Sequence, residues 1–138
     1  MSTAPGAASK AVAMGFEPGV AVQELGWDSD ADEQLRDEIQ DLIGEEFVYE
    51  ALEAVDVVLL WWRAEDGDLA DGLVDALTDL TDHGRIWLLI PKVGRAGYVE
   101  PTDLAEAALT AGLALANPAS VSADWQAHKL VRPKGVRR

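Results

Sequence analysis

The sequence contains no cysteine, and this absence excludes several classes of protein at once. A disulfide scaffold, a thiol redox switch and a cysteine-based zinc site all require cysteine. No apolar run reaches the roughly 18 residues that a membrane-spanning helix needs. The first residues also lack a positively charged stretch followed by a continuous apolar core, so we expect no secretory signal. These absences predict a cytoplasmic protein with no membrane contact.

Basic residues are scarce over most of the chain. Up to Trp125 there are 6 lysines and arginines against 25 acidic residues, whereas the segment from Gln126 onward holds 5 basic residues and no acidic ones. Nucleic acids are bound by lysines and arginines that neutralise phosphate, so we expect no direct nucleic-acid binding except through the basic C-terminal tail. A basic protein partner suits the acidic body better. A solvated acidic surface without a partner is the open alternative.

Strands and helices are predicted to alternate along the chain, because apolar runs alternate with apolar residues at helical spacing. The predicted strands are residues 20–25, 47–49, 55–62, 86–90, 113–122 and 128–132. The predicted helices start at Asp30, Leu69 and Thr102 and end at Gly44, Gly84 and Gly112. This alternation, with right-handed crossovers, predicts an α/β three-layer sandwich whose mostly parallel sheet ends in a C-terminal antiparallel hairpin.

The same pattern predicts one domain with two tails. We expect a disordered N-terminal tail at residues 1–14, a single α/β domain at residues 15–134 and a basic tail at residues 135–138. Within the domain, Trp61, Trp87 and Trp125 are expected to pack in the core.

Four phrases carry a resemblance to a known family: VQELGWDSDAD, VDVVLLWWRAEDGDL, IWLLIPKVGRAGYVEPTDLAEAA and the closing LVRPK. On these phrases the chain resembles the actinobacterial domain of unknown function family 3052. Its order of elements also resembles a truncated class I methyltransferase-like, or Rossmann-like, domain. The resemblance implies that fold. As function it implies a non-catalytic regulatory or adaptor protein that contacts another protein, with part of the transcription machinery or a stress response as the expected setting.

The turn after the first predicted strand is where the methyltransferase-like fold holds S-adenosylmethionine (SAM), because glycines there let the backbone approach the ligand. Gly26 retains one such glycine. Trp27 adds bulk, and the carboxylate of Asp28 would face the carboxylate of the cofactor. We therefore expect no cofactor, with a degenerate SAM-dependent methyltransferase as the alternative. On the interpretation we favour, Gly26 makes the turn, and Asp28 and Asp30 cap the next helix.

A second candidate site lies at the carboxyl edge of the predicted sheet, where open α/β folds bind ligands. Arg63 follows one buried strand, and Lys92 and Arg95 follow the next. With Trp27 and Trp62 as an aromatic wall, these cations predict a rim that binds an anion or the carboxylates of a partner. A small-anion or nucleotide sensor is therefore a further alternative, and exposed salt bridges are the structural one. The predicted site residues are Gly26, Trp27, Asp28, Trp62, Arg63, Lys92 and Arg95.

The sequence contains no recognisable catalytic or metal-binding pattern. Residues 28–32 begin like a calcium loop, but Glu33 stands where that loop needs glycine. The chain has only 2 histidines, and we place His83 at a helix end and His128 in an edge strand. We predict no catalytic residue and no bound metal. Association of copies through an exposed sheet edge is an open alternative.

Overall fold

The computed structural model describes residues 10–50, 52–116 and 118–133, which form one sheet between two helical layers. The helices are α1 (Lys10–Ala13), α2 (Glu33–Ile43), α3 (Leu69–Ala76) and α4 (Pro101–Thr110). The strands are β1 (Val22–Leu25), β2 (Val55–Trp61), β3 (Leu80–Pro91), β4 (Ala114–Leu115), β5 (Ala119–Ser120) and β6 (Trp125–Val131). Among the described residues, none of the helices has the length and apolar character needed to cross a membrane.

The sheet is parallel at one side and antiparallel at the other. Its six strands follow the order β1-β2-β3-β6-β4, and β5 also pairs with β6. The first three strands are parallel to one another, whereas β6 is antiparallel to β3, β4 and β5. The predicted α/β sandwich with an antiparallel C-terminal part is confirmed. The predicted strand at residues 47–49 is reduced to a single parallel bridge between Gln23 and Val48.

Both faces of the sheet are covered, which explains the nearly continuous apolar runs of β2 and β3. Helices α1 and α2 pack on the face that carries Trp61, Trp87 and Trp125. These tryptophans are between 0% and 5% exposed, so their predicted place in the core is confirmed. Helices α3 and α4 pack on the opposite face, against alternate residues of the same strands.

Helix α3 is shorter than its leucine spacing predicts, and β3 is longer. The helix ends at Ala76, and the strand already begins at Leu80. His83 therefore lies in a strand and not at a helix end. Gly84 does not stop a helix but permits close packing, since a Cβ there would lie 2.5 Å from Cδ1 of Leu80 and 2.8 Å from the carbonyl oxygen of Asp56.

The N-terminal part also differs from the predicted tail of residues 1–14. Residues 10–13 form α1, because Ala11 and Met14 bury their side chains against α2. The backbone N–H of Lys10 donates to the carboxylate of Glu38 at 2.8 Å, which fixes α1 to that helix. Residues 1–9 and the predicted basic tail at residues 135–138 lie outside the described residues.

A buried carboxylate joins β1 to its neighbours. Glu24 is 1% exposed, and its side chain accepts hydrogen bonds from Nε and Nη2 of Arg36 at 2.6 and 2.7 Å. It also accepts from Nε1 of Trp61 and from the hydroxyl of Tyr49, both at 2.9 Å. The hydrogen bonds to Glu24 raise the pKa of Arg36 above its ordinary value. A buried charge needs such partners to offset its lost hydration, so β1, α2, β2 and Tyr49 are fixed around this one group.

We predict that Arg36→Leu lowers the free energy of unfolding by about 3–5 kcal/mol, because it leaves the carboxylate of Glu24 buried without a counter-charge. The matched control is Glu33→Gln. Glu33 binds the same arginine at 2.6 Å, but its side chain is 54% exposed. An exposed pair contributes about 1 kcal/mol or less. Urea unfolding measures both variants, and equal losses would contradict the central place assigned to Glu24.

Candidate functional site

Arg63 occupies the carboxyl edge of the sheet between the ends of β1 and β2. Its Nη1 donates to the carbonyl oxygen of Gly26 at 2.7 Å and lies 3.3 Å from the carboxylate of Asp66. Its Nε donates to Asp30 at 3.0 Å, and Nη2 makes a second, short ion pair with the same carboxylate. The guanidinium also lies over the ring of Trp125, 5.2 Å from its centroid. Arg63 is only 6% exposed, so its side chain fills the space between the ends of β1 and β2, which we call the crevice.

The electrostatics of this crevice follow from the Arg63–Asp30 pair. The hydrogen bond from Arg63 holds the pKa of the Asp30 carboxyl below its ordinary value. Burial alone would lower the pKa of Arg63, but the pairs with Asp30 and Asp66 outweigh it and raise that pKa. Asp30 therefore does not cap α2 as predicted. Asp32 does so, by accepting the backbone N–H of Leu35 at 3.0 Å.

Gly26 fits the close contact between β1 and β2. Its φ is 77°, and a Cβ at this position would lie 2.2 Å from the carbonyl oxygen of Trp61. Glycine adopts such a φ without the steric cost that other residues meet. The turn and this close contact are therefore sufficient to explain why position 26 is a glycine. Asp28 accepts the backbone N–H of Ser29 at 2.7 Å, within the same loop.

The other residues of the predicted rim point to different places. Nζ of Lys92 donates to Oγ of Ser120 at 2.7 Å, and Arg95 forms an exposed ion pair with Asp124 at 2.8 Å. Trp27 lies beside α2 and is 47% exposed. Its Nε1 donates to Glu33 at 2.9 Å.

Trp62 packs on the opposite face of the sheet from Trp27. A Cβ on Gly72 of α3 would lie 2.5 Å from the Trp62 ring. The two tryptophans therefore do not form one aromatic wall. Each predicted cation already has a partner, so the rim is not a single free cationic surface.

A groove lies near this edge between α3 and α4, and we name it the acidic groove. It has a volume of about 420 Å³. Its polar and aromatic walls are formed by Trp62, Asp68, Tyr98, Glu100, Asp103 and Glu106. No lysine or arginine is among the described residues that line it. The groove is therefore anionic, in contrast to the cationic rim that the sequence predicts.

Helix α4 supplies much of this negative charge through its spacing. Residues 103, 106, 107 and 110 all line the groove, which is the three- and four-residue spacing of one helical face. Asp103 and Glu106 are exposed. Asp68 has a second role, because it caps α3 by accepting the backbone N–H of Ala70 at 3.0 Å. Sequence reasoning missed this site, although the spacing of the acids along α4 was a readable signal.

The family is decided by comparison with known sequences. Residues 11–134 match the model of a family described as a protein of unknown function (DUF3052). The chain belongs to this family. Uncharacterised proteins of Mycobacterium tuberculosis and Mycobacterium bovis are 44% identical to it over 122 residues, which cover 88% of this chain and 77% of each relative. The family resemblance predicted from the four phrases is confirmed.

Solved structures with a similar fold include several methyltransferases. Magnesium protoporphyrin IX methyltransferase from Synechocystis with bound S-adenosylhomocysteine (SAH) gives a TM-score of 0.55 at 17% identity, over 93% of this chain and 80% of that chain. Its SAM-bound structure gives 0.51 at 16%, over 93% and 77%. Mitomycin 7-O-methyltransferase gives 0.59 at 12%, over 92% of this chain and 53% of its own. The methyltransferase-like fold of this DUF3052 chain is confirmed.

The prediction that the chain has no cofactor is contradicted by this comparison. Two of the structures that share its fold were solved with SAM or SAH bound. The bulk of Trp27 and the charge of Asp28 were the two features expected to exclude a cofactor. In the structure, Trp27 donates to Glu33 on α2, and Asp28 accepts the backbone N–H of Ser29 in its own loop. The two residues therefore do not exclude a ligand in the way that the sequence predicted.

We predict that Asp30→Asn lowers the free energy of unfolding at pH 7 by about 1 kcal/mol, because the buried guanidinium loses the negative charge of a partner whose own side chain is 54% exposed. The folded-state pKa of Asp30 lies below the unfolded value of about 3.9. The pair therefore stabilises the fold above that value, and this contribution is lost as the pH falls through the lower folded-state pKa. Urea unfolding from neutral to acidic pH should show the two curves converging.

Asp28→Asn is the control for this experiment. It removes a carboxylate of the same loop, which accepts the backbone N–H of Ser29, and it leaves Arg63 paired with Asp30. This variant should retain the contribution of the Arg63–Asp30 pair, including its loss in acid. A difference for Asp30→Asn that persists unchanged in acid would contradict the ion-pair assignment.

Proposed function

We propose that this chain is a regulatory or adaptor domain that binds a basic segment of another protein in the acidic groove. The observation that carries the proposal is that acidic and aromatic side chains line the same groove. Asp68, Glu100, Asp103 and Glu106 supply negative charge, and Trp62 and Tyr98 supply aromatic faces. Arginine and lysine side chains are bound by this combination, through ion pairs and through cation–π contact.

The charge of the rest of the chain supports this assignment. The formal net charge is -14, so the field around the protein attracts cationic partners and repels anionic ones. Attraction of this kind mainly accelerates association, whereas the groove walls supply the specificity. The groove also lies at the carboxyl edge of the sheet, the usual ligand-binding position of open α/β folds.

We predict that the chain binds a fluorescein-labelled peptide of alternating arginine and serine, and that the variant with Asp103→Lys and Glu106→Lys loses this binding at least about tenfold. Reversing both charges places two cations against the cations of the peptide. Fluorescence anisotropy measures the affinity, and the affinity should fall as salt is added because the contacts are ionic.

The matched control carries Asp71→Lys and Asp75→Lys, which make the same change in net charge on exposed positions of α3 outside the groove lining. This variant should retain most of the affinity. Equal losses of affinity in both variants would assign the binding to net charge alone and would contradict binding in the acidic groove. Thermal unfolding accompanies each measurement, since Asp103 lies in the first turn of α4 and stabilises the helix N-terminus.

We propose binding of SAM or SAH at the carboxyl end of β1 as a second candidate function. Two methyltransferases of this fold hold these ligands. The positive φ of Gly26 also retains the sharp turn that brings backbone to this edge. The residues present fit only the anionic end of such a ligand, since Arg63 contacts the Gly26 carbonyl oxygen and is already held by Asp30. A ligand carboxylate would have to exchange with the carboxylate of Asp30.

We predict that calorimetric titration with SAM and SAH detects tighter binding in Asp30→Asn than in the unmodified chain, because the substitution frees Arg63 for the ligand carboxylate. Arg63→Gln is the control and should abolish the heat in both backgrounds. Absence of heat in the folded Asp30→Asn variant would exclude this candidate. Such a result would leave the peptide-binding proposal unaffected, because Asp30 does not line the acidic groove.

A further inference from the structure

A second cavity lies beneath α4, on the same face of the sheet as the acidic groove but with a different lining. Its volume is about 380 Å³. Apolar residues of β3, α4 and β4 form most of its wall, and β6 contributes two polar side chains. The residues that matter here are Ile90, Pro101, Leu104, Leu115, Gln126 and His128. Volumes of this size are typical of small-molecule sites, which are mainly apolar with a few polar groups.

His128 is the unusual member of this wall. Its residue is 9% exposed, and both ring nitrogens are buried without a hydrogen-bond partner among the described residues. It lies in the interior strand β6, paired with Leu88 of β3, and not in an edge strand as the sequence predicted. Buried polar atoms in folded proteins almost always have a partner, and each exception requires an explanation.

The protonation state of His128 defines what kind of partner it accepts. Burial lowers the pKa of its imidazole below the ordinary value. The ring is therefore neutral at pH 7, with one nitrogen as a donor and the other as an acceptor. A hydroxyl group satisfies either nitrogen, because it can both donate and accept.

We propose that this cavity is a binding site for a small, neutral, mainly apolar molecule with a hydroxyl group, of the phenol type, whose hydroxyl hydrogen-bonds to His128. The apolar wall accounts for the body of the ligand. The two unpartnered nitrogens of His128 are covered by neighbouring atoms, so the ligand hydroxyl would meet one of them after the ring turns toward the cavity. An anionic ligand is disfavoured, because the chain carries a formal net charge of -14 and the imidazole supplies no compensating charge.

The site does not use Arg63 or the groove carboxylates, on which the two functions proposed above rest. It shares only Tyr98 and Val99 with the acidic groove, and none of the groove carboxylates lines it. Its outer wall includes Leu115, which is 39% exposed although its side chain is large and apolar. A bound ligand that covers this leucine would remove apolar surface from water in addition to satisfying His128.

Phenol and toluene are the probes that test the site. Phenol should bind about tenfold more tightly than toluene of similar shape, which is the factor that one net hydrogen bond supplies. With isotope-labelled histidine, NMR resolves the ring nitrogens of the 2 histidines in the chain. Phenol should shift the signals of His128 and leave those of His83 unchanged, since His83 is exposed in β3 outside the cavity lining.

His128→Leu is the informative variant, because it keeps the cavity apolar and removes the two unsatisfied nitrogens. It should fold with unchanged or higher thermal stability, and its preference for phenol over toluene should disappear. Unchanged His128 signals at saturating phenol would overturn the proposal. A preference for phenol that survives in His128→Leu would also overturn it. The NMR measurement uses the unmodified chain, so the test does not depend on the folding of the variant.

Discussion

The carboxylate of Glu24 is the constraint on which the rest of the structure depends. It lies in the core between the sheet and α2, where an ionised group is tolerated only with several strong hydrogen bonds. Arg36, Trp61 and Tyr49 supply them from three separate segments. Because β1 is the shortest of the parallel strands and lies at the sheet edge, this cluster fixes its position. The turn that follows at Gly26 is therefore fixed in position relative to the end of β2.

Arg63 fills the crevice at the carboxyl edge of the sheet. The crevice between the ends of β1 and β2 is closed by its contacts with Gly26, Asp30 and Asp66. The α3 and α4 face is open, and both the acidic groove and the His128 cavity lie there. The crevice lies at the end of β1, whereas the binding sites that we propose for a basic segment and for a neutral ligand lie beside α3 and α4. The fold alone does not locate the site.

Much of the fold could be predicted from the sequence, because local signals agree with the final environment. The runs in β2 and β3 are apolar on both faces, and Gly44 ends α2 in the left-handed conformation that glycine favours. The misplaced start of β3 has a physical reason, since Leu80 fits both helical and strand spacing. The ion pair of Asp30 with Arg63 and the cavity beside His128 could not be predicted, because both depend on packing between segments far apart in sequence.

The single bridge at Val48 has a consequence for how copies of this chain meet. β1 lies at the edge of the sheet, where unpaired backbone groups normally recruit a further strand. The N–H of Glu24 and the carbonyl oxygen of Val22 are both taken by Val48 at 2.9 Å. Val48, a single loop residue, therefore occupies the backbone groups in the middle of this edge. A strand of a neighbouring molecule could pair with the middle of β1 only after the two hydrogen bonds to Val48 had broken.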